Sequence, residues 1–197
     1  MTVLETERLI MRAPRLEDAP CYTLGISEFA VARWLTPVPW PFTLSMAQDF
    51  LRAAPEARPE KALFIVEHKR KGLIGCVMLA SELGFWIARP HWHRGYATEA
   101  ASALIDWHFD GTRQETIRSS AHRNNLASLR LKARLGFVAT GKELRFSQAL
   151  QHNVEHVTTA LSRTDWQARK ADRSAASWVG VGERQGSAPM IAPEAVP

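Results

Sequence analysis

The sequence predicts one α/β domain with a central, mostly antiparallel, twisted sheet and helices on both faces. Three apolar strand patterns follow one another between residues 62 and 88, and their connections are too short for parallel crossovers. An apolar stripe of helical period then runs from residue 97 to residue 109. Another strand pattern follows at residues 116–121, so the sheet is expected to be mixed.

The amino-terminal part predicts a strand followed by helices. Leu9 and Met11 alternate with polar residues and fall on one face of the strand, which Pro14 ends. Ser45 and Gln48 have the spacing of a capping box and predict the start of a helix. Other helices are expected at residues 15–25 and 28–35, with a proline-rich loop at 36–42.

The carboxy-terminal part predicts one more helix, two more strands and a tail. A helix is expected from Asn125 to Leu135, because Gly136 stands where helices commonly end. Strands are expected from Phe137 onward and over residues 154–162. After Trp166 the composition shifts to Ser, Ala, Gly and Pro. We therefore expect a domain over residues 1–166 and a flexible tail over residues 167–197.

Composition narrows the functional class. The net charge of +5 and the pI of about 9.6 come without a contiguous basic stripe interleaved with aromatics, which argues against nucleic-acid binding. No apolar run approaches the ~20 residues of a spanning helix, and no signal peptide is evident, so we expect a cytoplasmic protein without a membrane partner. Cys21 and Cys76 form no CxxC pair, which argues against a disulfide framework or zinc knuckle.

The most informative segment is LGFWIARPHWHRGYATEA, residues 83–100. A strand enters a loop rich in His and Arg, and Gly95 precedes the start of a helix. Free N–H groups at a helix start attract anions, and glycine allows a close approach of the backbone. The segment predicts a phosphate or pyrophosphate seat formed by the amides from His93 to Thr98, with positive charge from His93 and Arg94. The alternative is that Gly95 forms only a tight turn.

This segment resembles the coenzyme A pyrophosphate loop of GCN5-related N-acetyltransferases (GNAT), in the form of the RimJ/RimL-like branch. Gly95 and Ala97 match the last two positions of the family's Q/R-x-x-G-x-G/A loop. Trp92 replaces the first Gln or Arg, as is familiar in this branch. The residue after the tryptophan is usually glycine, and His93 departs from that pattern, either crowding the pyrophosphate or contributing a cation.

Three further segments resemble the same family and extend the match from about residue 5 to residue 166. They are ETERLIMRAPRLEDA at the start, AHRNNLASLRLKARLGF with its N-x-x-S motif, and HVTTALSRTDW at the end. The resemblance implies a GNAT fold, in which the strands on either side of the phosphate helix splay into a V that admits acetyl-CoA. It also implies direct attack of an amine on the acetyl thioester, without an acetyl-cysteine.

The resemblance implies roles for particular residues. Asn125 is expected against the pantetheine arm, and Ser128 near the thioester sulfur as a proton donor. The alternatives are a helix cap for Asn125 and a plain helix-face position for Ser128. The full expected set of cofactor-binding residues is Trp86, Ile87, His93, Arg94, Gly95, Tyr96, Ala97, Thr98, Asn125 and Ser128.

Glu82 is the first candidate for a general base, directly or through water, and Glu155 is the second. The alternative for Glu82 is an exposed turn carboxylate. The expected acceptor-binding wall consists of Trp34, Trp40 and Phe42, although Trp34 also fits simple core packing.

His91 and His93 lack a third ligand nearby, so no metal site is expected. His122 is expected to line the cofactor entrance. The sequence thus predicts an acetyl-CoA-dependent N-acetyltransferase, monomeric or homodimeric, that acts on a protein N-terminal amine or a small-molecule amine. The alternatives are a non-catalytic acyl-CoA-binding module and, third, a nucleic-acid-associated protein.

Overall fold

A computed structural model describes residues 2–179, with side chains through residue 172. Eight strands form one sheet. They are β1 (Val3–Glu5), β2 (Leu9–Arg12), β3 (Ala62–His68), β4 (Gly72–Leu79), β5 (Leu83–Ile87), β6 (Thr116–His122), β7 (Val138–Ser147) and β8 (His152–Ser162). Six α-helices accompany them. They are α1 (Ala19–Ile26), α2 (Phe29–Ala32), α3 (Leu44–Arg52), α4 (Tyr96–Gly111), α5 (Leu126–Leu135) and α6 (Arg163–Val179).

The strand order is β1-β2-β3-β4-β5-β6-β8-β7, and every neighbouring pair is antiparallel except β5 and β6. These two strands run parallel because α4 carries the chain back to the same end of the sheet. Leu83 and Ser119 are the one registered pair between them in the described chain. The predicted mostly antiparallel, mixed sheet is confirmed, and the two strands separate beyond this pair.

Two apolar cores lie on opposite faces of the sheet, as expected for helices on both faces. One core packs α4 against the sheet and includes Leu9 and Met11, both fully buried as the alternation predicted. The other packs α1, α2 and α3 against β3, β4 and β5, and includes Ile65, Cys76 and Trp86. Both cores meet at β5, so this strand is held from both sides.

The cap of α3 differs from the prediction. Thr43, in an extended conformation, is the N-cap, and its Oγ1 accepts a hydrogen bond from the Met46 N–H (3.3 Å). The helix therefore starts at Leu44, and Ser45 already lies in its first turn. Thr43 and Ser45 offer similar hydroxyls, and the extended backbone after the proline-rich loop selects Thr43 as the cap.

Helix α6 continues past the expected domain boundary. Trp166 is buried, and its Nε1–H donates to the Asp106 carboxylate of α4 (3.0 Å). Lys170 pairs with the same carboxylate (3.0 Å). These contacts hold the first turns of the helix, which runs through Val179, past the expected start of the tail at residue 167. Residues 180–197 lie outside the described residues, and the domain limit stays a prediction. Of the described helices, none has the length and apolar character needed to cross a membrane.

We predict that Trp166→Ala destabilises the domain by about 3–5 kcal/mol, because it removes a large side chain from the core beneath α4. Urea unfolding followed by circular dichroism measures this loss. Trp40→Ala is the matched control, since Trp40 is 49% exposed. Equal losses for the two variants would show that α6 adds little to the core.

Candidate active site

The separation of β5 from β6 leaves backbone groups facing a gap. The Ala88 N–H donates to the Ile74 carbonyl (2.8 Å), which fixes the residues that pair with β4. By alternation, the N–H and C=O groups of Leu83, Phe85 and Ile87 point away from β4 and toward β6. The Leu83 carbonyl confirms this direction, because it accepts a hydrogen bond from Ser119 Oγ (2.6 Å).

The facing edge of β6 follows from the same reasoning. The Arg123 N–H donates to the Glu155 carbonyl (2.9 Å), so residues 119, 121 and 123 direct their backbone groups toward β8. Ser120 and His122 therefore direct theirs toward β5. In a continued parallel ladder, the Phe85 N–H would donate to the Ser120 carbonyl.

Lys132, rather than the Phe85 N–H, donates a hydrogen bond to the Ser120 carbonyl. Its side chain reaches from α5, and Nζ donates to the Ser120 carbonyl while lying 5.9 Å from the centre of the Phe85 ring. Lys132 is only 2% exposed. Burial lowers the pKa of Lys132 to about 8, and nearby Glu82 opposes that shift. An ammonium group thus lies at the point where the two strands part.

Two other carbonyls at the gap have partners that belong to neither strand. The Ile87 carbonyl accepts from the Trp92 indole Nε1–H (2.6 Å), and the His122 carbonyl accepts from the Asn125 N–H (2.8 Å). The N–H groups of Phe85, Ile87 and His122 are left facing the gap. Its edges therefore offer hydrogen-bond donors more than acceptors, which suits a ligand rich in carbonyl oxygens.

The turn that follows β5 forms the expected anion seat. Gly95 is the N-cap of α4 with φ +79°, and His93 also adopts a left-handed conformation with φ +59°. Within the described chain, no amide N–H of residues 93–98 donates a hydrogen bond. Positive φ at a non-glycine residue costs energy and is often found at functional sites. The free amides and the α4 dipole fit a pyrophosphate.

Arg8, which immediately precedes β2, braces this turn. Its Nη1 donates to the Arg94 carbonyl (3.0 Å), and its Nε donates to the Glu99 carboxylate (2.7 Å). Its guanidinium also lies over the Tyr96 ring at 4.7 Å. Glu99 further accepts from Thr6 Oγ1 (2.6 Å). Burial alone would raise the pKa of Glu99, but the hydrogen bonds from Thr6 and Arg8 outweigh it and hold that pKa below its usual value. Arg8 thereby neutralises a carboxylate that would otherwise repel an anion at the helix start.

The structure places the other expected cofactor residues as follows. Trp86 and Ile87 are buried, one in each core. The Ile87 backbone faces the gap, whereas the Trp86 backbone faces β4. Asn125 is the N-cap of α5, where its Oδ1 accepts from the Ser128 N–H (3.1 Å). The half-buried Ser128 hydroxyl has no hydrogen bond within the described chain. Ser128 lies one turn before Lys132, so both share one face of α5.

Two histidines line the opposite face of the sheet beside the gap. His156 Nε2 is 2.7 Å from Thr36 Oγ1, and His156 Nδ1 is 3.4 Å from Ser120 Oγ. The ring centres of His122 and His156 are 6.2 Å apart. His122 Nδ1 accepts from the Asn124 N–H (3.0 Å), which leaves the proton on Nε2. His122 therefore lies on the face of the sheet opposite α5, and its expected place at the cofactor entrance stays a prediction.

Burial is the largest influence on both imidazoles. It lowers the pKa of His156 to about 4, with Arg145 adding to the effect. Burial and the positive charge of Arg33 also lower the pKa of His122. Both rings are therefore neutral at pH 7.

Glu82 is already bound by Arg145. The guanidinium donates to both carboxylate oxygens (3.0 and 2.5 Å), and Ser120 Oγ donates to one of them (2.8 Å). Although burial acts in the other direction, these partners lower the pKa of Glu82, which makes it a weak base. Glu155 pairs with Arg123 and Lys142 at 3.4 and 3.3 Å, on the opposite face of β8 from His156. Both roles stay predictions, and this geometry favours neither.

The three expected acceptor-wall residues separate. Trp34 packs its ring edge-to-face on His122, with centres 5.3 Å apart, so it lies at the histidine wall. Trp40 is half exposed and donates from Nε1 to the Ser27 carbonyl (3.0 Å). Phe42 packs into the core beneath α1, with its ring 6.3 Å from Tyr22. Only Trp34 contacts the cluster beside the gap.

The positions of the possible metal ligands and the two cysteines in the described chain bear on metal and cysteine chemistry. Across the side chains that the structure describes, no three His, Cys, Asp or Glu residues are arranged to hold a metal ion. Cys76 is buried, and burial raises the pKa of its thiol to about 12. Cys21 is exposed on α1, in the helical layer that covers the sheet.

Comparison with known proteins agrees with this geometry. Residues 8–138 match the family described as the acetyltransferase (GNAT) domain. An uncharacterized N-acetyltransferase p20 from Bacillus licheniformis is 29% identical over 153 residues, covering 72% of this chain and 85% of that protein. Because the family match spans most of the chain, the chain belongs to the GNAT acetyltransferase family. Its reaction is acetyl transfer from acetyl-CoA.

Solved structures confirm the fold. RimJ from Mycobacterium smegmatis, in complex with CoA-disulfide, aligns with a TM-score of 0.73 at 19% identity, over 86% of this chain and 89% of that one. A ribosomal-protein-S5-alanine acetyltransferase from Vibrio fischeri aligns with a TM-score of 0.68 at 20% identity, over 84% of this chain and 99% of that one. At the level of the fold, the resemblance to the RimJ/RimL-like branch is confirmed.

We predict that Gly95→Val weakens acetyl-CoA binding by at least about tenfold, because a β-branched residue cannot readily hold φ +79° at the anion seat. Calorimetry on folded protein measures the affinity. Gly72→Val is the matched control, since Gly72 has φ +73° at the first residue of β4 and its added side chain would meet nothing within 4 Å. Unchanged affinity for Gly95→Val would place the phosphates elsewhere.

We predict that the domain loses about 2 kcal/mol of stability between pH 7 and pH 5 through His156 alone. Its folded pKa of about 4 lies below the usual 6.5, so the unfolded chain takes up the proton first as the pH falls. Urea unfolding at both pH values should show a smaller difference for His156→Asn. His152→Asn, an exposed position on the same strand, should retain it. An equal pH difference in all three proteins would contradict the shift.

Proposed function

We propose that this chain acetylates a primary amine, either on a protein N-terminus or on a small molecule. The observation that carries the proposal is the gap between β5 and β6. Its edges offer N–H donors and the Lys132 ammonium, β5 leads from it into the turn that starts α4, and neutral histidines flank its other face. A cofactor seat and an acceptor wall thus meet at one opening.

The residues present fit acetyl-CoA. The amides of residues 93–98, with His93 and Arg94, would hold the pyrophosphate. The free N–H groups along the gap and the side-chain Nδ2 of Asn125 would hold the carbonyl oxygens of the pantetheine arm. Acetyl-CoA supplies the thioester: the amine nitrogen forms a bond to its carbonyl carbon as the carbon–sulfur bond breaks. The amine loses one proton, and the departing thiolate takes one up to become the free thiol.

Ser128 is proposed as the proton donor to the departing sulfur. Its hydroxyl is not committed to another group of the described chain, and it shares the gap-facing side of α5 with Lys132. A thiol has a pKa of about 8.5, so modest assistance suffices at neutral pH. The residue therefore acts late, as negative charge develops on sulfur.

The site geometry does not by itself identify the class of acceptor amine. The fold likeness to a ribosomal-protein-S5-alanine acetyltransferase makes protein N-termini one class to test, and small amines are the other. A panel of both, assayed by release of free thiol from acetyl-CoA, tests the proposal. Tight acetyl-CoA binding without thiol release for any amine would support the non-catalytic module instead.

We predict that Ser128→Ala lowers kcat by about 10²-fold while acetyl-CoA affinity stays nearly unchanged, because general-acid assistance is lost. Steady-state kinetics with the best acceptor and calorimetry separate the two quantities. Ser162→Ala is the control, since that hydroxyl bonds Asp165 at the start of α6. A change confined to KM would assign Ser128 to cofactor positioning, and unchanged kinetics would remove it from the site.

A further inference from the structure

The acceptor side of the gap carries a net positive field, and this field bears on which amines can enter. The charged groups that act on the two wall histidines are Arg33, Arg123, Arg145, Lys132, His152 and Glu82. One of these, Glu82, is a carboxylate, and two more carboxylates, Glu143 and Glu155, pair with Arg145 and with Arg123 and Lys142. The cations still outnumber the carboxylates. An acceptor approaching the wall therefore meets an excess of cationic side chains.

The carboxylates near this wall are already in ion pairs. Arg145 binds both Glu82 and Glu143, and Glu155 is held by Arg123 and Lys142. Within the described residues of this wall, none is left to receive an ammonium group of a substrate. Polycationic acceptors usually need such free carboxylates, since each charge must be compensated.

Arg33 lies at the edge of the wall formed by His122 and His156, and its guanidinium has N–H donors that are not in use. It follows α2, is exposed, and stacks its guanidinium on the Trp34 ring at 4.6 Å, with the Phe29 ring 5.8 Å away. Its guanidinium makes no hydrogen bond or ion pair within the described chain. A stacked guanidinium keeps its edge N–H donors free, and their fork matches a carboxylate or a phosphate.

The position of Arg33 relative to the reaction is fixed through Trp34. That ring packs on His122, which is paired in register with His156 across β6 and β8. The loop after Trp34 is tied to the sheet, since the Thr36 carbonyl accepts from the Gln148 N–H (3.0 Å). Arg33 is thus held at the rim of the histidine wall.

We propose that the acceptor is a primary amine that carries an anionic group, a carboxylate or a phosphate, which Arg33 binds at the rim. The inference rests on the proposed function and narrows its substrate. The same cations lower the pKa of an amine bound among them, so a larger fraction is neutral and nucleophilic without a carboxylate base. Polyamines are repelled by that field.

The test uses acceptors matched in shape and different in charge. L-Phenylalanine is compared with L-phenylalaninol, and a short peptide with Asp at its second position is compared with its Asn counterpart. Spermidine is the polycation. The free amino acid and the peptide distinguish the two sources of the anionic group. The readout is kcat/KM from thiol release.

Wild-type protein should favour the anionic member of at least one pair by about tenfold, and spermidine should be the poorest acceptor. Arg33→Gln should remove that preference by raising KM for the anionic acceptor, with little change for its neutral partner. Arg52→Gln is the control, because Arg52 is an exposed arginine on α3 paired with Asp49. Arg33→Lys should retain part of the preference.

Two results would overturn the inference while leaving the proposed function intact. One is faster turnover of neutral or polycationic amines by the wild-type protein. The other is an Arg33→Gln variant that loses activity equally on anionic and neutral acceptors. Absence of thiol release with every amine would instead overturn the proposed function, and this inference with it.

Discussion

The parting of β5 and β6 after one registered pair is the constraint on which the site depends. Parallel strands that stop pairing leave backbone groups without partners, and a buried carbonyl without a donor costs about 1–3 kcal/mol. Here three donors from outside the two strands fill that need: the Lys132 ammonium, the Trp92 indole and the Asn125 amide. Because these donors use the carbonyls, the gap keeps its N–H groups for a ligand.

The same constraint explains why the two halves of the cofactor seat are braced separately. The start of α4 is positive through its dipole and free amides, yet Glu99 lies in its first turn. Arg8 cancels that charge and also ties the turn before β2 to the Arg94 carbonyl. The turn between β1 and β2 thus contributes to the anion seat, although no residue of this amino-terminal part was expected there.

Much of the fold could be predicted because burial imposes a period on the sequence. Burial on at least one face gives a clear periodicity to the strands between residues 62 and 88 and to the stripe on α4. Both were therefore predicted from the sequence. Strand β7 is an exposed edge along nearly its whole length, so it carries no such alternation and only its start was predicted. Helix α6 was not predicted, because its contacts with Asp106 of α4 involve residues about 60 positions apart.

The site was predicted less completely, for two different physical reasons. Lys132 was readable: Ser128, Leu131, Lys132 and Leu135 are spaced i, i+3, i+4 and i+7, which places a lysine on the buried stripe of α5. The partners of Glu82 and His156 were not readable. They depend on the register of β6, β7 and β8, and on a loop more than one hundred residues earlier that brings Thr36 to His156.

The charged groups at the point where β5 and β6 part depend on one another. Burial alone disfavours the Lys132 ammonium, and Glu82 offsets part of that cost. Glu82 in turn keeps its charge because Arg145 and the Ser120 hydroxyl bind it. Ser120 connects the two groups, since its hydroxyl binds Glu82 and its carbonyl accepts the hydrogen bond from Lys132.

The buried Lys132 ammonium would lose its offsetting charge without Glu82, and the partly buried Glu82 would lose its two-point partner without Arg145. These charged groups therefore depend on one another as a set. This also explains why Glu82 is poorly suited to take a proton from the acceptor. Its charge is already used to keep an ammonium at the point where the strands part.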